Sequence, residues 1–280
     1  MKMKIVADSA CDVNKDLKER LNLELVPLTI QIDEKRYKDD KNINIKELIQ
    51  HMKKSKDYPR TSCPSPNDFI EAFKGDEDED VFAVTMSSGI SGTYNSAVLA
   101  KNMVLEEMGN KFIHVFDTLS ASVGETLVSM KILETAKENY EKLQIVEKVS
   151  EYIKDMKTFF VLENLDNLVK SGRLNALKGK VASLLSIKPI LMASDDGVIE
   201  KLENVRGTKK AMRRLVDIIG EYGGKFEEKV LGIGHCSCLE KAKKLKEEAL
   251  KRYNFKEIVI VEMAGITSVY ANEDGIVICF

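Results

Sequence analysis

Residues 81–96 read VFAVTMSSGISGTYNS, and they decide the fold. The first six residues are almost all apolar, which predicts a buried strand over residues 81–86. Serine and glycine dominate residues 87–93, so a loop is expected after the strand. Helical spacing then continues to about Met108. The sequence therefore predicts a strand, a loop and a helix in direct succession.

The same order occurs twice more in the first half of the chain. An apolar run at residues 3–7 ends at Asp8 and precedes a helix predicted over about 15–22. A strand predicted over residues 112–116 ends at Asp117, before a long helix over about 121–139. This repetition is typical of a parallel sheet covered by helices. Because the strand ends share one edge of such a sheet, we expect the three loops to converge.

Local signals also define the segments between these units. Residues 25–32 alternate between apolar and polar side chains, which predicts one strand. Residues 45–54 place their apolar side chains on one face of a predicted helix. Ser65, followed by Pro66 and Asp68, is typical of a helix start, because Ser65 caps the first turn and Asp68 reaches back to it.

The pattern changes after about residue 155. Strands are predicted over residues 159–162, 230–234, 257–263 and 275–280, and helices over residues 165–170, 177–185, 208–221 and 239–253. The turn Ser194-Asp195-Asp196-Gly197, between strands at 187–192 and 198–205, is typical of a β-hairpin. Hairpins mixed with long helices favour an α+β domain.

We therefore predict an α/β protein of two domains. Residues 1–155 form an N-terminal parallel sheet with flanking helices, and residues 156–280 form a C-terminal α+β domain. The total of 280 residues fits this division. No low-complexity linker separates the halves, so we expect them to pack closely.

Composition argues against several classes of partner. The 43 basic and 45 acidic side chains nearly cancel, and tryptophan is absent, which argues against nucleic acid and against an anionic membrane surface. No segment approaches the ~18 apolar residues of a transmembrane helix, so we expect no integral membrane segment. Five scattered cysteines favour reduced thiols, and we expect a cytoplasmic location.

The serine- and glycine-rich loop at residues 87–94 is the strongest candidate for a binding site. A helix N-terminus offers unpaired N–H groups, glycines allow a ligand to approach closely, and hydroxyls add neutral donors. The loop lacks the lysine of a phosphate-binding loop, so a singly charged anion such as a carboxylate suits it better. A second interpretation stays open, in which Ser91 or Thr93 only caps the helix.

Thr61 and Ser62 form a second candidate. These two hydroxyls precede the rigid turn Pro64-Ser65-Pro66 and have no evident capping duty. They either belong to an anion site or close an ordinary turn through a side-chain hydroxyl.

A serine hydrolase is a third possibility that the sequence raises. Ser91 lies on a strand-to-helix turn, as the nucleophile of such an enzyme does, but the G-x-S-x-G spacing is absent. The histidines His51, His114 and His235 do not sit at convincing strand ends. We therefore expect no catalytic residue in this chain.

Two further motifs bear on metal and phosphate. His235-Cys236-Ser237-Cys238 contains residues that bind zinc, yet no second cluster completes a tetrahedral shell, so we expect no metal. Arg173 and Arg206 lie beside glycines in turns, where arginine either clamps a phosphate or a partner's carboxylate or is simply solvated.

Taken in order along the chain, these segments resemble the DegV family of bacterial lipid-binding proteins. The resemblance rests on Asp8-Ser9, Thr61-Ser62 with Pro64-Ser65, residues 87–94, residues 117–122, residues 168–173, residues 187–191 and Val205-Arg206-Gly207. It extends over essentially the whole chain.

The resemblance implies that two α/β domains enclose one long-chain fatty acid between them, with no other cofactor. It implies that Thr61 and Ser91 hydrogen-bond the carboxylate, with Ser62 and Gly92 close by. In some family members the bound acid is presented to a separate fatty acid kinase, which makes the acyl-phosphate. In those members, the arginines that correspond to Arg173 and Arg206 lie near the phosphoryl-transfer surface.

The chain departs from the family at one position. Many members carry a histidine before a Thr-Gly-Pro-Gly turn near the C-terminus, and the matching residues 265–272 contain none. Ser268 or Thr267 is expected to act as a neutral donor instead. Three interpretations stay open: a fatty acid-binding protein, a serine hydrolase that acts on lipid esters through Ser91, and an interaction protein without a small ligand.

Overall fold

The computed structural model describes residues 2–76, 78–174 and 187–280. The N-terminal half contains, in chain order, β1 (Met3–Asp8), α1 (Lys15–Leu21), β2 (Leu23–Val26), β3 (Thr29–Ile32), β4 (Lys35–Lys38), α2 (Ile45–Lys54), β5 (Arg60–Ser62), α3 (Pro66–Phe73), β6 (Asp80–Thr85), α4 (Thr93–Met108), β7 (Ile113–Asp117), α5 (Val123–Lys137) and α6 (Lys142–Asp155). The three predicted units of strand, loop and helix are confirmed, as β1 with α1, β6 with α4, and β7 with α5.

The strands β2, β1, β6 and β7 pair in that order to form a parallel sheet, as predicted. Alternate side chains of β6 face opposite sides of this sheet. Val81 and Ala83 pack in the same cluster as residues of α3 and α4, whereas Phe82 and Val84 pack in the cluster that contains α5. The sheet is therefore covered on both faces, which explains why β6 is apolar almost throughout.

Residues 25–32 form two strands in different sheets, so the prediction of one strand was wrong. β2 joins the parallel sheet, whereas β3 pairs antiparallel with β4 and β5. The chain leaves the first sheet at Pro27, because proline has no N–H to donate to a continuous ladder. The small sheet of β4, β3 and β5 carries Thr61 at its edge.

The C-terminal half contains β8 (Thr158–Val161), α7 (Asp166–Lys170), β9 (Ile187–Ala193), β10 (Ile199–Arg206), α8 (Thr208–Tyr222), a short 3-10 helix (Phe226–Glu228), β11 (Val230–His235), α9 (Leu239–Leu250), β12 (Glu257–Glu262), α10 (Gly265–Ala271) and β13 (Ile276–Cys279). The strands form one mixed sheet in the order β10, β9, β8, β13, β11, β12, which confirms the predicted α+β character. The helix predicted over residues 177–185 lies outside the described residues.

The predicted hairpin is confirmed. β9 and β10 pair antiparallel, and the N–H of Gly197 donates to the carbonyl of Ser194 in the turn between them. The Ser87 hydroxyl donates to the Gly197 carbonyl at 2.7 Å, so the hairpin turn packs on the loop after β6. This contact joins the two halves of the molecule next to the candidate site.

The two halves share one apolar core, as their expected close packing requires. A single cluster contains Ile5 and Phe82 from the first half and Val259 and Val277 from the second. The predicted boundary near residue 155 falls between the end of α6 and the start of β8. No helix in the described part of the chain is both long and apolar enough to cross a membrane.

Candidate functional site

A cavity of about 310 Å³ lies between the two halves. Hydroxyl-bearing residues and one arginine line part of its wall, and the rest of the wall is mostly apolar. The polar part includes Thr61, Ser62, Ser91 and Arg173, with the backbone of Gly92. The apolar part includes Leu28, Met86, Leu119, Phe160, Leu162, Leu168, Ile199, Ile266 and Val277. The volume lies at the lower end of the range for small-molecule sites.

The loops after β1, β6 and β7 converge at this cavity, as the sequence predicted. The N–H of Met86 donates to the carboxylate of Asp8 at 2.8 Å, and the N–H of Ser88 donates to that of Asp117 at 3.1 Å. The N–H of Ser87 also donates to the carbonyl of Ser120 at 2.7 Å. These bonds fix the three loops relative to one another. The site residues on the loops are therefore held in defined positions.

Ser91 is positioned by a tight turn at the start of α4. The N–H groups of Ile90 and Ser91 both donate to the carbonyl of Ser87, at 3.2 and 3.1 Å. The N-cap of α4 is Gly92, which forms no side-chain cap. Neither Ser91 nor Thr93 therefore occupies the capping position, although the Ser91 hydroxyl accepts from the Thr93 N–H at 3.3 Å. The Ser91 side chain lines the cavity instead.

Thr61 lies in β5 and not in an isolated turn. Its register partner is Ile30. The segment that follows lies against the start of α4, because the Ser96 hydroxyl donates to the Pro64 carbonyl at 2.7 Å. A side chain placed on Gly92 would lie 3.6 Å from the Cys63 sulfur, so the two candidate segments lie side by side. The structure thus brings Thr61, Ser62, Ser91 and Gly92 to one wall of the cavity.

Tyr270 is a cavity residue that sequence reasoning missed. Its hydroxyl and the Thr61 hydroxyl are 2.6 Å apart, a hydrogen bond between the two halves. Tyr270 lies on α10, within residues 265–272, which contain no histidine. An aromatic ring with a hydroxyl at its tip has an apolar body and a neutral donor, which suits the junction of a polar and an apolar wall. This combination of an apolar ring and a hydroxyl is the feature by which the sequence could have identified Tyr270 as a candidate.

Ser268 does not line the cavity, which corrects its predicted place in the site. It is fully buried, and its hydroxyl donates to the Met263 carbonyl at 3.1 Å. Thr267 does line the cavity, but its hydroxyl donates to the Asp12 carboxylate at 2.8 Å. On a helix, neighbouring positions point in different directions, so Tyr270 is presented to Thr61 while Ser268 points into the core.

The two arginines occupy different environments. Arg173 lines the cavity, donates from Nε to the Ile90 carbonyl at 3.2 Å, and lies 5.9 Å from the centre of the Tyr270 ring. Arg206 is exposed at the end of β10 and is not part of the cavity wall. The structure therefore associates Arg173 with the site and leaves Arg206 on the surface.

Comparison with known proteins settles the family. A family model described as "Uncharacterised protein, DegV family" matches residues 2–280. The chain belongs to the DegV family. A DegV domain-containing protein of Streptococcus pneumoniae is 34% identical over 281 residues, which is 99% of this chain and 98% of that protein.

Two solved DegV-family structures resemble the present one over nearly their full lengths. A DegV-family protein from Ruminococcus gnavus, solved with vaccenic acid, is 39% identical with a TM-score of 0.95, and 99% of each chain is covered. The Streptococcus pneumoniae Fatty Acid Kinase (Fak) B3 protein, loaded with linoleic acid, is 32% identical with a TM-score of 0.91. This comparison covers 100% of the present chain and 99% of the other.

The DegV fold of this chain offers Ser91 no catalytic partner in the described residues. His51 bonds to Tyr37 and Asp33, at 2.7 and 3.0 Å, and His235 is buried at the end of β11. Burial lowers the pKa of His114 to about 4. None of these imidazoles contacts Ser91, whose hydroxyl bonds to Thr93 at 2.8 Å. This arrangement lacks the base that a serine nucleophile requires.

The His235–Cys238 motif serves the packing of the DegV fold. Cys236 is buried in the core shared by the two halves, and the N–H of Cys238 donates to the His235 ring at 3.4 Å. Across residues 2–76, 78–174 and 187–280, no group of three or more His, Cys, Asp or Glu side chains is arranged to hold a metal ion.

A group of buried carboxyls lies beside the cavity. Burial raises the pKa of Asp8 and Asp12 to about 7, and that of Asp39 to about 6. Burial also raises the pKa of Glu125 well above its usual range, and neither of its carboxyl oxygens has a hydrogen-bond partner in the described structure. The charges of Asp8 and Asp12 act in the same direction as burial and further disfavour the ionised form of Glu125.

Proposed function

We propose that this protein binds one long-chain fatty acid in the cavity between its two halves. The carboxylate is held by Thr61, Ser91 and Tyr270, with Ser62 and Gly92 beside it. The observation that carries the proposal is the cavity itself, which has neutral hydroxyl donors on one part of its wall and apolar side chains on most of the rest. That division matches a molecule with one small polar end and one long apolar tail.

The energetics favour such a ligand. Burial of a C16 tail at ~0.8 kcal/mol per CH₂ gains on the order of 11 kcal/mol before entropy costs. The carboxylate loses its water shell, so neutral donors must replace it. Thr61, Ser91 and Tyr270 supply hydroxyls, and the first turn of α4 supplies backbone N–H groups. A hydrogen bond to a charged group contributes about 1.5–3 kcal/mol, which offsets much of this cost.

The bound acid is then presented to a fatty acid kinase. The support for this step is the likeness to the Fak B3 protein, whose name assigns it to such a kinase. The present chain contributes binding and positioning, and the kinase contributes the phosphoryl group. Arg173 at the cavity wall and the exposed Arg206 lie on the surface that the kinase approaches. The free thiols of all five cysteines support a reducing, cytoplasmic location.

The serine hydrolase is not favoured by a specific observation. Ser91 lacks an imidazole partner in the described structure, and its hydroxyl is engaged with Thr93. We therefore assign Ser91 to binding of the carboxylate and not to nucleophilic attack.

The headgroup assignment is tested by calorimetric titration of delipidated protein with stearate. We expect Tyr270→Phe, Thr61→Val and Ser91→Ala each to weaken binding by about tenfold or more, because each variant removes a hydrogen bond to a charged group. Tyr58→Phe and Ser150→Ala are matched controls, since Tyr58 is exposed and the Ser150 hydroxyl bonds within its own helix. Unchanged affinity in all three headgroup variants would remove these residues from the site.

A further inference from the structure

The cavity wall also contains a hydrogen-bonded pair of hydroxyls that does not belong to the headgroup set Thr61, Ser91 and Tyr270. Ser120 and Thr158 both line the cavity, and their hydroxyl oxygens are 2.8 Å apart. Both residues are buried, with 4% and 7% of their surfaces exposed. Ser120 belongs to the loop after β7, and Thr158 is the first residue of β8, so the pair joins the two halves.

The position of this pair along the cavity follows from the geometry of β8. Thr158 and Phe160 lie on the same face of the strand, which Leu162 continues, and all three line the cavity. Leu162 lies near Ala271, because a side chain placed on Gly275 would contact both residues. Ala271 follows Tyr270 directly, so this end of the face is near the proposed headgroup.

Thr158 therefore lies at the end of this face that is away from Leu162. Strands rise about 3.3 Å per residue, so Thr158 lies about 13 Å along β8 from Leu162. An extended chain advances roughly 1.2 Å per bonded atom, as the polypeptide backbone does. An acyl chain that follows β8 from Leu162 thus reaches the hydroxyl pair after about eleven carbons, in the middle part of a long fatty acid.

The pair has hydrogen-bonding capacity that the protein leaves unused. Two hydroxyls have two donors and four lone pairs, and the bond between them uses one of each. In the described structure, the other partners within reach are the Ala121 carbonyl, 3.4 Å from Ser120, and the Cys279 thiol, whose sulfur is 3.4 Å from Thr158 and 4.0 Å from Ser120. The first distance is long and the second partner is weak. One donor and several lone pairs are therefore available to a ligand.

We propose that the Ser120–Thr158 pair is an interior polar subsite that binds an oxygen atom on the middle of the acyl chain. This inference rests on the proposed function and narrows its ligand class to hydroxy and oxo fatty acids. An apolar wall would serve a plain hydrocarbon tail at least as well, since a hydroxyl facing a tail gains no hydrogen bond. A hydroxyl or carbonyl on the chain gains one from the pair.

The test compares stearate with a series of hydroxystearates in which the hydroxyl moves carbon by carbon along the middle of the chain. In the wild-type protein, we expect one isomer or two adjacent isomers to bind within about threefold of stearate. The remaining isomers should bind at least about tenfold more weakly, because their hydroxyl is buried without a partner. Calorimetric titration of delipidated protein measures these affinities.

Two variants separate a ligand site from a structural bridge. The double variant Ser120→Ala, Thr158→Val replaces both hydroxyls by apolar groups of similar shape, so it leaves no unpaired partner behind. We expect it to weaken the favoured isomer about tenfold more than it weakens stearate. Thr158→Ser keeps the hydroxyl and should retain the preference.

Each contrary result has a distinct meaning. If stearate binds but all isomers are weakened alike, or if the double variant weakens stearate and the favoured isomer equally, the subsite is refuted and the pair is only a bridge. If neither stearate nor any hydroxystearate binds to the delipidated wild-type protein, the proposed function itself is refuted.

Discussion

At the scale of single residues, Asp8 and Asp12 connect the fold to the site. The Asp8 carboxylate accepts the N–H groups of Ala10 and Met86, and thereby ties the loop after β1 to the end of β6. The Asp12 carboxylate accepts from Ser122, Thr267 and the Ala264 N–H, at 2.5 to 2.8 Å. Both side chains are fully buried, so their protonation state affects the stability of the whole protein.

The raised pKa values of Asp8 and Asp12 predict how stability depends on pH. The folded protein retains a proton on each carboxyl up to a pKa of about 7, whereas the unfolded chain releases it near 3.8. Between these values the folded state binds more protons, so the free energy of unfolding falls as pH rises. Each carboxyl contributes about 1.4 kcal/mol per pH unit in this window.

Urea unfolding at several pH values measures this slope. We expect Asp8→Asn to reduce the slope, and the exposed Asp16→Asn to leave it unchanged. If the free energy of unfolding of the wild-type protein rose with pH through this window, and Asp16→Asn behaved in the same way, the raised pKa values of these carboxyls would be contradicted.

Gly197 carries a second prediction at the residue scale. Its φ is +69°, and a Cβ there would lie 2.1 Å from the Ser87 Oγ and 2.9 Å from the Leu119 Cα. We expect Gly197→Ala to cost about 2–4 kcal/mol of unfolding free energy, from backbone strain and from overpacking. Gly172→Ala is the matched control, since Gly172 has a φ of +80° and no atom within 4 Å of its Cβ position. Gly172→Ala should lower the unfolding free energy by only about 1–2 kcal/mol.

Equal losses in the two glycine variants would show that the hairpin turn is not held against the Ser87 loop. A larger loss in Gly197→Ala, accompanied by faster release of bound stearate, is the expected result.

Some residues of the site were predictable and others were not. Thr61 and Ser91 precede helices in segments of unusual composition, so the local sequence identified them as candidate site residues. Tyr270 is 209 residues from Thr61 in the chain, and only the packing of the two halves brings their hydroxyls together. Ser268 was predicted because it is polar, but its direction on α10 depends on contacts that no local pattern encodes.

At the scale of elements, α10 is the helix on which the site depends most. Asp39, which follows β4, accepts the N–H groups of Gly265 and Ile266 at 2.8 and 2.9 Å. Its carboxylate also accepts the Ser9 hydroxyl at 2.9 Å. Together with Asp12, Asp39 holds the N-terminus of α10 from the opposite half, where the backbone N–H groups have no partner within the helix. These hydrogen bonds fix the helix that presents Tyr270.

Asp39→Ala tests whether the hydrogen bonds of Asp39 hold α10 in place. We expect a loss of about 2–4 kcal/mol in unfolding free energy, because the variant leaves buried donors without their acceptor. Amide hydrogens of residues 266–271 should exchange faster than in the wild-type protein, as measured by mass spectrometry. Asp40→Ala is the control, since Asp40 is only half-buried and accepts from Asn42 nearby. Unchanged exchange in α10 would show that Asp39 does not hold this helix.

The elements that sequence reasoning missed have physical reasons in common. α10 has seven residues and is buried on several sides, so it shows no amphipathic period. β2 and β3 read as one strand because alternation continues across Pro27, although only a sheet partner decides where a strand ends. α6 was overlooked although its buried residues Ile145, Val149 and Ile153 recur at helical spacing.

At the scale of the whole molecule, the two halves form the cavity jointly. The Thr61–Tyr270, Ser120–Thr158 and Ser87–Gly197 bonds each cross between the halves, and each joins cavity-lining residues or their neighbours. Repeated strand, loop and helix units predicted the parallel sheet and the convergence of its loops. The sequence could not predict which surfaces of the halves face each other, because that depends on packing between distant segments.

One measurement tests the proposed ligand most directly. Protein purified without added lipid is denatured, extracted with solvent and analysed by mass spectrometry, with a matched extract of a Thr61→Val, Ser91→Ala, Tyr270→Phe variant. We expect about one long-chain fatty acid per wild-type chain, and clearly lower occupancy in the variant. Folded wild-type protein that carries no fatty acid, and that takes up none when stearate is added, would contradict the proposal.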